Sequence, residues 1–204
     1  MHDVTAIAAP QIQPAVGKNS NPRYTELYRR YPTIDYLRRA ARHKLPHFAF
    51  EYGNGGSGKD DAGIRRNWAA LDAIELLPRY GVMPSLPPCD VELFGRRYAA
   101  PTGVAPMGSP AIVWPGADRH FARAVMMDSG IRSGTDVVRA YALGAAAFAG
   151  KAFLWGLGAL GEEGPGHVID LLIEETQAAL GQLGARKPDE VRTFEIRYTA
   201  ALQF

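Results

Sequence analysis

An α/β fold of parallel βα units, laid out like part of a (β/α)8 barrel, is predicted by three observations. First, the apolar run Val125-Met126-Met127 leads into the glycine-punctuated stretch Asp128-Ser129-Gly130-Ile131-Arg132-Ser133-Gly134-Thr135-Asp136 and then into a helical pattern, Val137 to Leu143. Glycines let backbone N–H groups turn toward an anion, and a helix N-terminus adds partial positive charge. Arg132 would add a planar fork of donors suited to phosphate oxygens. Second, the apolar run Ala145 to Ala149 ends on Gly150-Lys151, a second cation at a neighbouring strand end. Two consecutive strand ends meeting one phosphate is an arrangement common on such barrels, after their last two strands. Third, Pro101 to Gly108 reads as a strand followed by a turn of small residues, the layout of an earlier βα unit.

Composition fits this class. At 204 residues the chain is expected to hold one domain, or one domain with an extension, and its 47% apolar and 22% charged residues are ordinary for a globular protein. A net charge of +2 is too small to imply nucleic acid as a partner. The lone Cys89 excludes an internal disulfide and a cysteine-based metal cluster, and its Pro-Pro-Cys-Asp surroundings offer nothing to activate a thiol. Met1 to Gly17 has neither a basic start nor a long apolar stretch, so no secretory signal is expected. Ala142 to Gly161 is nearly apolar and about a bilayer long. Its several glycines and central Lys151 fit a strand, a binding turn and a helix start better than a spanning helix. No transmembrane span is expected; the cytoplasm is the expected location, with peripheral membrane contact left open.

Taken in order, residues 1–32 are rich in Pro, Asn and Ala without a sustained period, and are expected to form an extended or disordered arm. Thr33 then caps a helix whose face carries Ile34, Leu37, Ala41 and Leu45, with Pro46 ending it. Phe48 to Tyr52 is a candidate strand, and Gly53-Asn54-Gly55-Gly56-Ser57-Gly58 formally matches G-x-G-x-x-G. Lys59-Asp60-Asp61 would set two carboxylates where a pyrophosphate must bind, which argues against a dinucleotide fold. A helix begins near Asp61 with Ile64, Trp68, Leu71 and Ile74 on one face. A proline-rich connection, 82–90, precedes a short hairpin over Val91 to Tyr98. Trp114 to Ala124 closes on a helix. Gly166 to Leu183 presents Val168, Ile169, Leu172, Ile173 and Leu180 on one side and acidic residues on the other, with Gly184 placed to end it. Residues 185–204 read as a tail with a marginal strand or helix at Phe194 to Tyr198.

The residues D-S-G-I-R-S-G-T-D-V-V-R-A-Y-A-L-G-A, then G-K-A-F-L-W-G-L and G-E-E-G, closely resemble the C-terminal signature of the FMN-dependent α-hydroxy-acid dehydrogenases and oxidases, which include flavin-linked lactate dehydrogenases and glycolate oxidases. K-L-P-x-x-x-F-E-Y and I-E-L-L-P-R follow the same family's N-terminal segment. The match runs over 33–184. It implies a (β/α)8 barrel, FMN as cofactor and a small L-2-hydroxy acid, lactate-like, oxidised to the 2-oxo acid. By this resemblance Tyr52 faces the substrate carboxylate. Pro106, Met107 and Gly108 contact the flavin. Asp128, Ser129, Gly130, Ile131, Arg132, Gly150 and Lys151 hold it at its phosphate end. Lys151 stands where an arginine is more usual, keeping the charge and losing the fork.

The resemblance breaks at Ala124-Val125. A helix there runs straight into a strand, whereas αβ connections need a few residues, and in the family most of the barrel separates these two elements. The expected chain is therefore a barrel relative truncated internally, with an N-terminal helical extension and about three parallel barrel strands at 102–105, 125–127 and 146–149. Its segments are an arm at 1–32, a helical segment and hairpin at 33–100, a first βα unit at 101–124, the last two βα units at 125–184 and a tail at 185–204. Three strands cannot close a barrel, which usually takes about 250 residues. The family's catalytic histidine stands in an N-H-G-type motif; His2, His43, His47, His120 and His167 do not. No catalytic residue is assigned, and turnover is expected to be weak or absent. The alternatives are a non-catalytic flavin- or phosphate-binding remnant, a module pairing its open sheet edge with an intact homologue, or an unrelated small phosphate binder; a homo-oligomer is left open.

Overall fold

A computed structural model describes residues 22–56, 59–79, 86–93, 95–105, 112–115 and 130–198. The expected strand at 125–127 and the helix leading to Ala124 lie outside the described residues. Helices dominate the rest, and their apolar residues form two large hydrophobic clusters and a small third one, the first including residues of a short parallel sheet.

Four helices supply most of the first cluster. α1 (Pro22–Arg30) and α2 (Ile34–Lys44) pack on α6 (Lys151–Leu160) and α7 (Gly164–Leu183). Ile34, Leu37 and Ala41 of α2 meet Phe153, Trp155 and Ala159 of α6, with Val168, Leu171 and Leu172 of α7 behind them. Glycine sets the closeness of these contacts. A Cβ on Gly158 would lie 2.6 Å from Leu45 Cδ1, and one on Gly164 would lie 2.1 Å from the Gly156 backbone. α6 is buried on all sides, since Ala152, Phe153, Leu154, Trp155, Leu157 and Ala159 are all in the core. That accounts for the nearly apolar stretch at 142–161: it is a buried strand followed by a buried helix. No helix among the described residues is long and apolar enough to cross a membrane.

The second cluster joins the hairpin to the C-terminal half. β2 (Val91–Leu93) pairs antiparallel with β3 (Arg96–Tyr98), as the hairpin pattern predicts. Val91 and Cys89 pack with Val138 and Tyr141 of α5 (Gly134–Ala142), with Leu180 and Leu183 of α7, and with Val191. Burial pushes the Cys89 thiol up to about 12, so it stays protonated.

The parallel sheet is β4 (Thr102–Val104) with β5 (Ala147–Ala149), in the register Thr102↔Ala147, Gly103↔Phe148 and Val104↔Ala149. Ala147 N donates to Pro101 O at 3.0 Å and Ala105 N to Ala149 O at 3.1 Å, so the ladder extends past both ends. All three β5 residues are buried, as expected for a parallel strand covered on both faces.

Three expectations are corrected, and a fourth, left between strand and helix, is decided. Part of the predicted extended arm is the helix α1. Its Leu27 enters the core, Arg23 pairs with Glu163, and the Tyr24 hydroxyl donates to Glu174, so tertiary contacts order a segment whose composition suggested none. Phe48 to Tyr52 is not a strand but part of α3 (His47–Asn54). Pro46 precedes its first turn, and Ala49, Phe50 and Gly53 form a helical core face. Ile74 does not continue α4 (Ala62–Asp72) but opens β1 (Ile74–Leu76). The tail supplies β6 (Ile196–Tyr198), antiparallel to β1, which decides between strand and helix for that segment.

Candidate functional site

The turn before α5 folds as its sequence dictates. Gly130 sits at φ +88°, a backbone region that glycine enters without penalty. Ser133 caps α5, its hydroxyl accepting from Asp136 N at 3.3 Å, while the Asp136 carboxylate accepts from the backbone one residue before the cap. Asp136 is buried and receives Arg132 N at 3.0 Å, Arg132 Nε at 3.3 Å and Arg139 Nη1 at 3.1 Å. The two end nitrogens of Arg132 reach across to the last residue of α4. Nη2 donates to Asp72 Oδ1 at 2.6 Å and Nη1 to Asp72 Oδ2 at 3.3 Å. The Trp68 ring lies beneath the guanidinium, 5.3 Å from its carbon. The hydrogen bond from Arg132 holds the Asp72 carboxyl below its usual range. Arg132 therefore sits in the turn before α5, already gripped by two carboxylates.

The second strand end is different. β5 runs through Gly150 into α6, which starts with no side-chain cap. Lys151, the first residue of α6, directs Nζ to the carbonyls of Gly53, at 3.2 Å, and Gly55, at the C-terminal end of α3. A cation there complements the negative end of the helix. Lys151 turns toward α3 while Arg132 turns toward α4.

The other predicted site residues are placed as follows. Ile131 is buried in the first core cluster. Tyr52 lies on α3 about half exposed, beside the buried face formed by Ala49, Phe50 and Gly53. Pro106, Met107, Gly108, Asp128 and Ser129 lie outside the described residues. The G-x-G-x-x-G match follows a helix, not a strand, and Gly53 is the last turn of that helix, consistent with rejecting a dinucleotide fold. His167 is buried in α7, with Nε2 2.8 Å from Tyr31 O, a packing role. His2 and His120 are outside the described residues. Among the described residues no group of His, Cys, Asp or Glu could hold a metal ion. A surface groove of about 570 Å³ lies between the hairpin and the 186–190 segment, lined by charges of both signs, and no predicted site residue borders it.

Sequence reasoning missed Asp72, Asp136 and Trp68 as neighbours of Arg132. The Ser133-x-x-Asp136 cap spacing and the i, i+4 spacing of Arg132 and Asp136 were visible signals for one of them. Asp72 and Trp68 are 60 or more residues away in sequence, and only the fold brings them in.

A phosphate suits these donors chemically. The uncapped first turn of α6, the adjacent Lys151 and the planar fork of Arg132 are the groups that bind phosphate oxygens elsewhere. Comparison with known proteins gives the family. The family model described as FMN-dependent dehydrogenase matches residues 41–125 and 123–197. The chain is similar to an L-lactate oxidase of Nostoc sp., 41% identical over 70 residues, covering 34% of this chain and 19% of that protein. It is also similar to 2-hydroxyacid oxidase 2 of Mus musculus, 40% identical over 76 residues, covering 37% of this chain and 22% of that protein. The aligned part thus spans about a fifth of the length of these relatives. A crystal structure of mandelate oxidase superposes with a TM-score of 0.68 at 18% identity, covering 83% of this chain and 100% of that one, a likeness of fold.

Proposed function

The chain belongs to the FMN-dependent dehydrogenase family, and from that premise we propose that it keeps the flavin-phosphate end of a 2-hydroxy-acid-oxidising barrel without the barrel's chemical centre. The observation that carries this reading is the parallel pairing of β4 with β5. In a closed barrel the strand that opens the circle pairs with the strand that closes it. Here a strand near residue 103 pairs with one near residue 148, the pairing expected if the first and last units are kept and most units between them are absent. The two family matches meet at 123–125, which supports a junction beside Ala124-Val125.

In this reading, the N–H groups of the first α6 turn, with Arg132 and Lys151, hold the phosphate of FMN. The A-P-M-G turn at Ala105 to Gly108 lies against its ring. Tyr52 orients the carboxylate of a small L-2-hydroxy acid. FMN, when bound, supplies the two-electron acceptor for the oxidation. The chain must supply a base to take the substrate's proton, and no histidine in it stands in an N-H-G sequence. We therefore expect weak or no turnover. The test is lactate oxidation by the purified, FMN-saturated protein with an artificial electron acceptor; family-like rates would overturn the impaired part of the proposal.

A second reading is favoured by one observation: among the described residues the parallel sheet has only two strands, so both its outer edges lack a described partner. Such edges pair readily with another chain. The chain would then be a non-catalytic module that docks on an intact homologue, and it would co-purify with that homologue. Family membership sets aside the third alternative, an unrelated small phosphate binder.

A further inference from the structure

We infer that Asp72 is an internal competitor for the Arg132 fork, a carboxylate that must leave the guanidinium before a phosphate group can take its place. This rests on the reading of Arg132 as a phosphate anchor. The geometry is that of a rival ligand. Both Asp72 oxygens meet both end nitrogens of Arg132, at 2.6 and 3.3 Å, which is the paired edge that a phosphate would use. The third nitrogen, Nε, is already committed to Asp136, and Trp68 covers one face of the guanidinium. No second fork is left for a ligand while Asp72 stays.

The two carboxylates on Arg132 are not equivalent. Asp136 is 2% exposed and also receives Arg132 N and Arg139, so it belongs to the scaffold of the α5 entry. The Asp72 side chain is 55% exposed, and it is the last residue of α4, where the helix dipole disfavours an anion. Its hold depends on Arg132 and, at 3.4 Å, Arg139. A carboxylate that solvent reaches and its own helix repels is one that can swing away. When it does, Arg132 keeps its position through Asp136 and Trp68, with its end nitrogens turned outward.

The test is FMN binding by the full-length chain at low ionic strength, followed by isothermal titration and by flavin fluorescence. Riboflavin, which lacks the phosphate, serves as control. Asp72→Asn keeps shape and removes the charge, and should tighten FMN binding about tenfold while leaving riboflavin unchanged, as expected when one charge-assisted pair no longer competes. Arg132→Gln should weaken FMN binding, and combining it with Asp72→Asn should erase the gain. Far-UV circular dichroism checks that each variant is folded, and Asp72→Ala repeats the test with a second side chain. If Arg132→Gln weakens FMN binding but neither Asp72 variant tightens it, the competition is wrong and the phosphate anchor stands. If FMN binding ignores Arg132, or if no variant including Asp72→Asn binds FMN, both the anchor and the competition fall.

Discussion

Asp170 and His167, three residues apart on α7, respond to acid in opposite directions. Burial first, and then the charge of Glu174, push the Asp170 carboxyl up to about 6. Its folded value lies above its unfolded one, so its protonated form fits the fold. The stability tied to it is present below about pH 4 and is lost as pH rises through about 6. His167 is held below its usual value by burial, so its neutral form fits the fold. Its contribution is present above about pH 6.5 and fades as pH falls, because the unfolded chain takes up a proton the folded one resists. Asp170→Asn should therefore raise the melting temperature near pH 7 by about 2–4 °C, the shift that ~1 kcal/mol gives a chain of this size, with no gain at pH 4. Thermal melts of both proteins at the two pH values check this. An equal gain at both would show that charge is not the cause. Arg132 illustrates how much of a residue's role a sequence can carry. Its place just before a capped helix followed from G-I-R-S-G-T-D alone. Its engagement with Asp72 did not, because a contact over 60 residues leaves no local pattern.

At the level of elements, the helices with strong apolar periodicity were legible, and those that depend on partners were not. α2, α4, α5 and α7 follow from spacing, helped by the Ser133 cap of α5 and the left-handed Gly184 that ends α7, whereas the expected Thr33 cap of α2 makes no side-chain hydrogen bond. α1 has one buried residue and is held by Arg23–Glu163 and Tyr24–Glu174, so its order comes from α7 and the turn before it. α3 was misread because Phe-Ala-Phe-Glu-Tyr alternates like a strand. Pro46 and the contact of Gly53 with Leu154 fix it as a helix, the tertiary setting outweighing the local pattern. Glycines serve as contact points where α6 meets α7, Gly156 of α6 facing Gly164 of α7. Gly164→Ala should be strongly destabilising, since its Cβ would overlap the Gly156 backbone, and overpacking of this kind costs ~1–3 kcal/mol or more. Gly166→Ala, where a Cβ meets open space, should be tolerated or mildly stabilising in the same helix. Urea denaturation of both variants checks the contrast, and equal costs would refute the close-approach account. Leu37→Ala, in the α2–α6 contact, should cost ~2–5 kcal/mol in the same measurement, as full burial predicts.

For the whole molecule, the parallel pairing of β4 with β5 is the contact on which the proposed reading as part of a barrel rests. The parallel class and both strands were legible from apolar runs bounded by small residues. Their direct pairing was not, since strand order depends on closure and not on local sequence. The site is legible to the same degree. The proposed phosphate end is written in nearly consecutive residues, whereas the proposed flavin-ring side and a catalytic base would depend on units that the motif pattern does not supply. The account therefore separates two properties that go together in an intact flavin oxidase, holding FMN and passing substrate electrons to it.

The measurement that separates them most directly is the visible spectrum of the purified chain, titrated with FMN and then given L-lactate in the absence of oxygen. The account predicts that the flavin bands shift on binding, that Arg132→Ala loses the shift, and that lactate bleaches the bound flavin slowly or not at all. Prompt bleaching by lactate, or a flavin spectrum that the protein leaves unchanged, would contradict it.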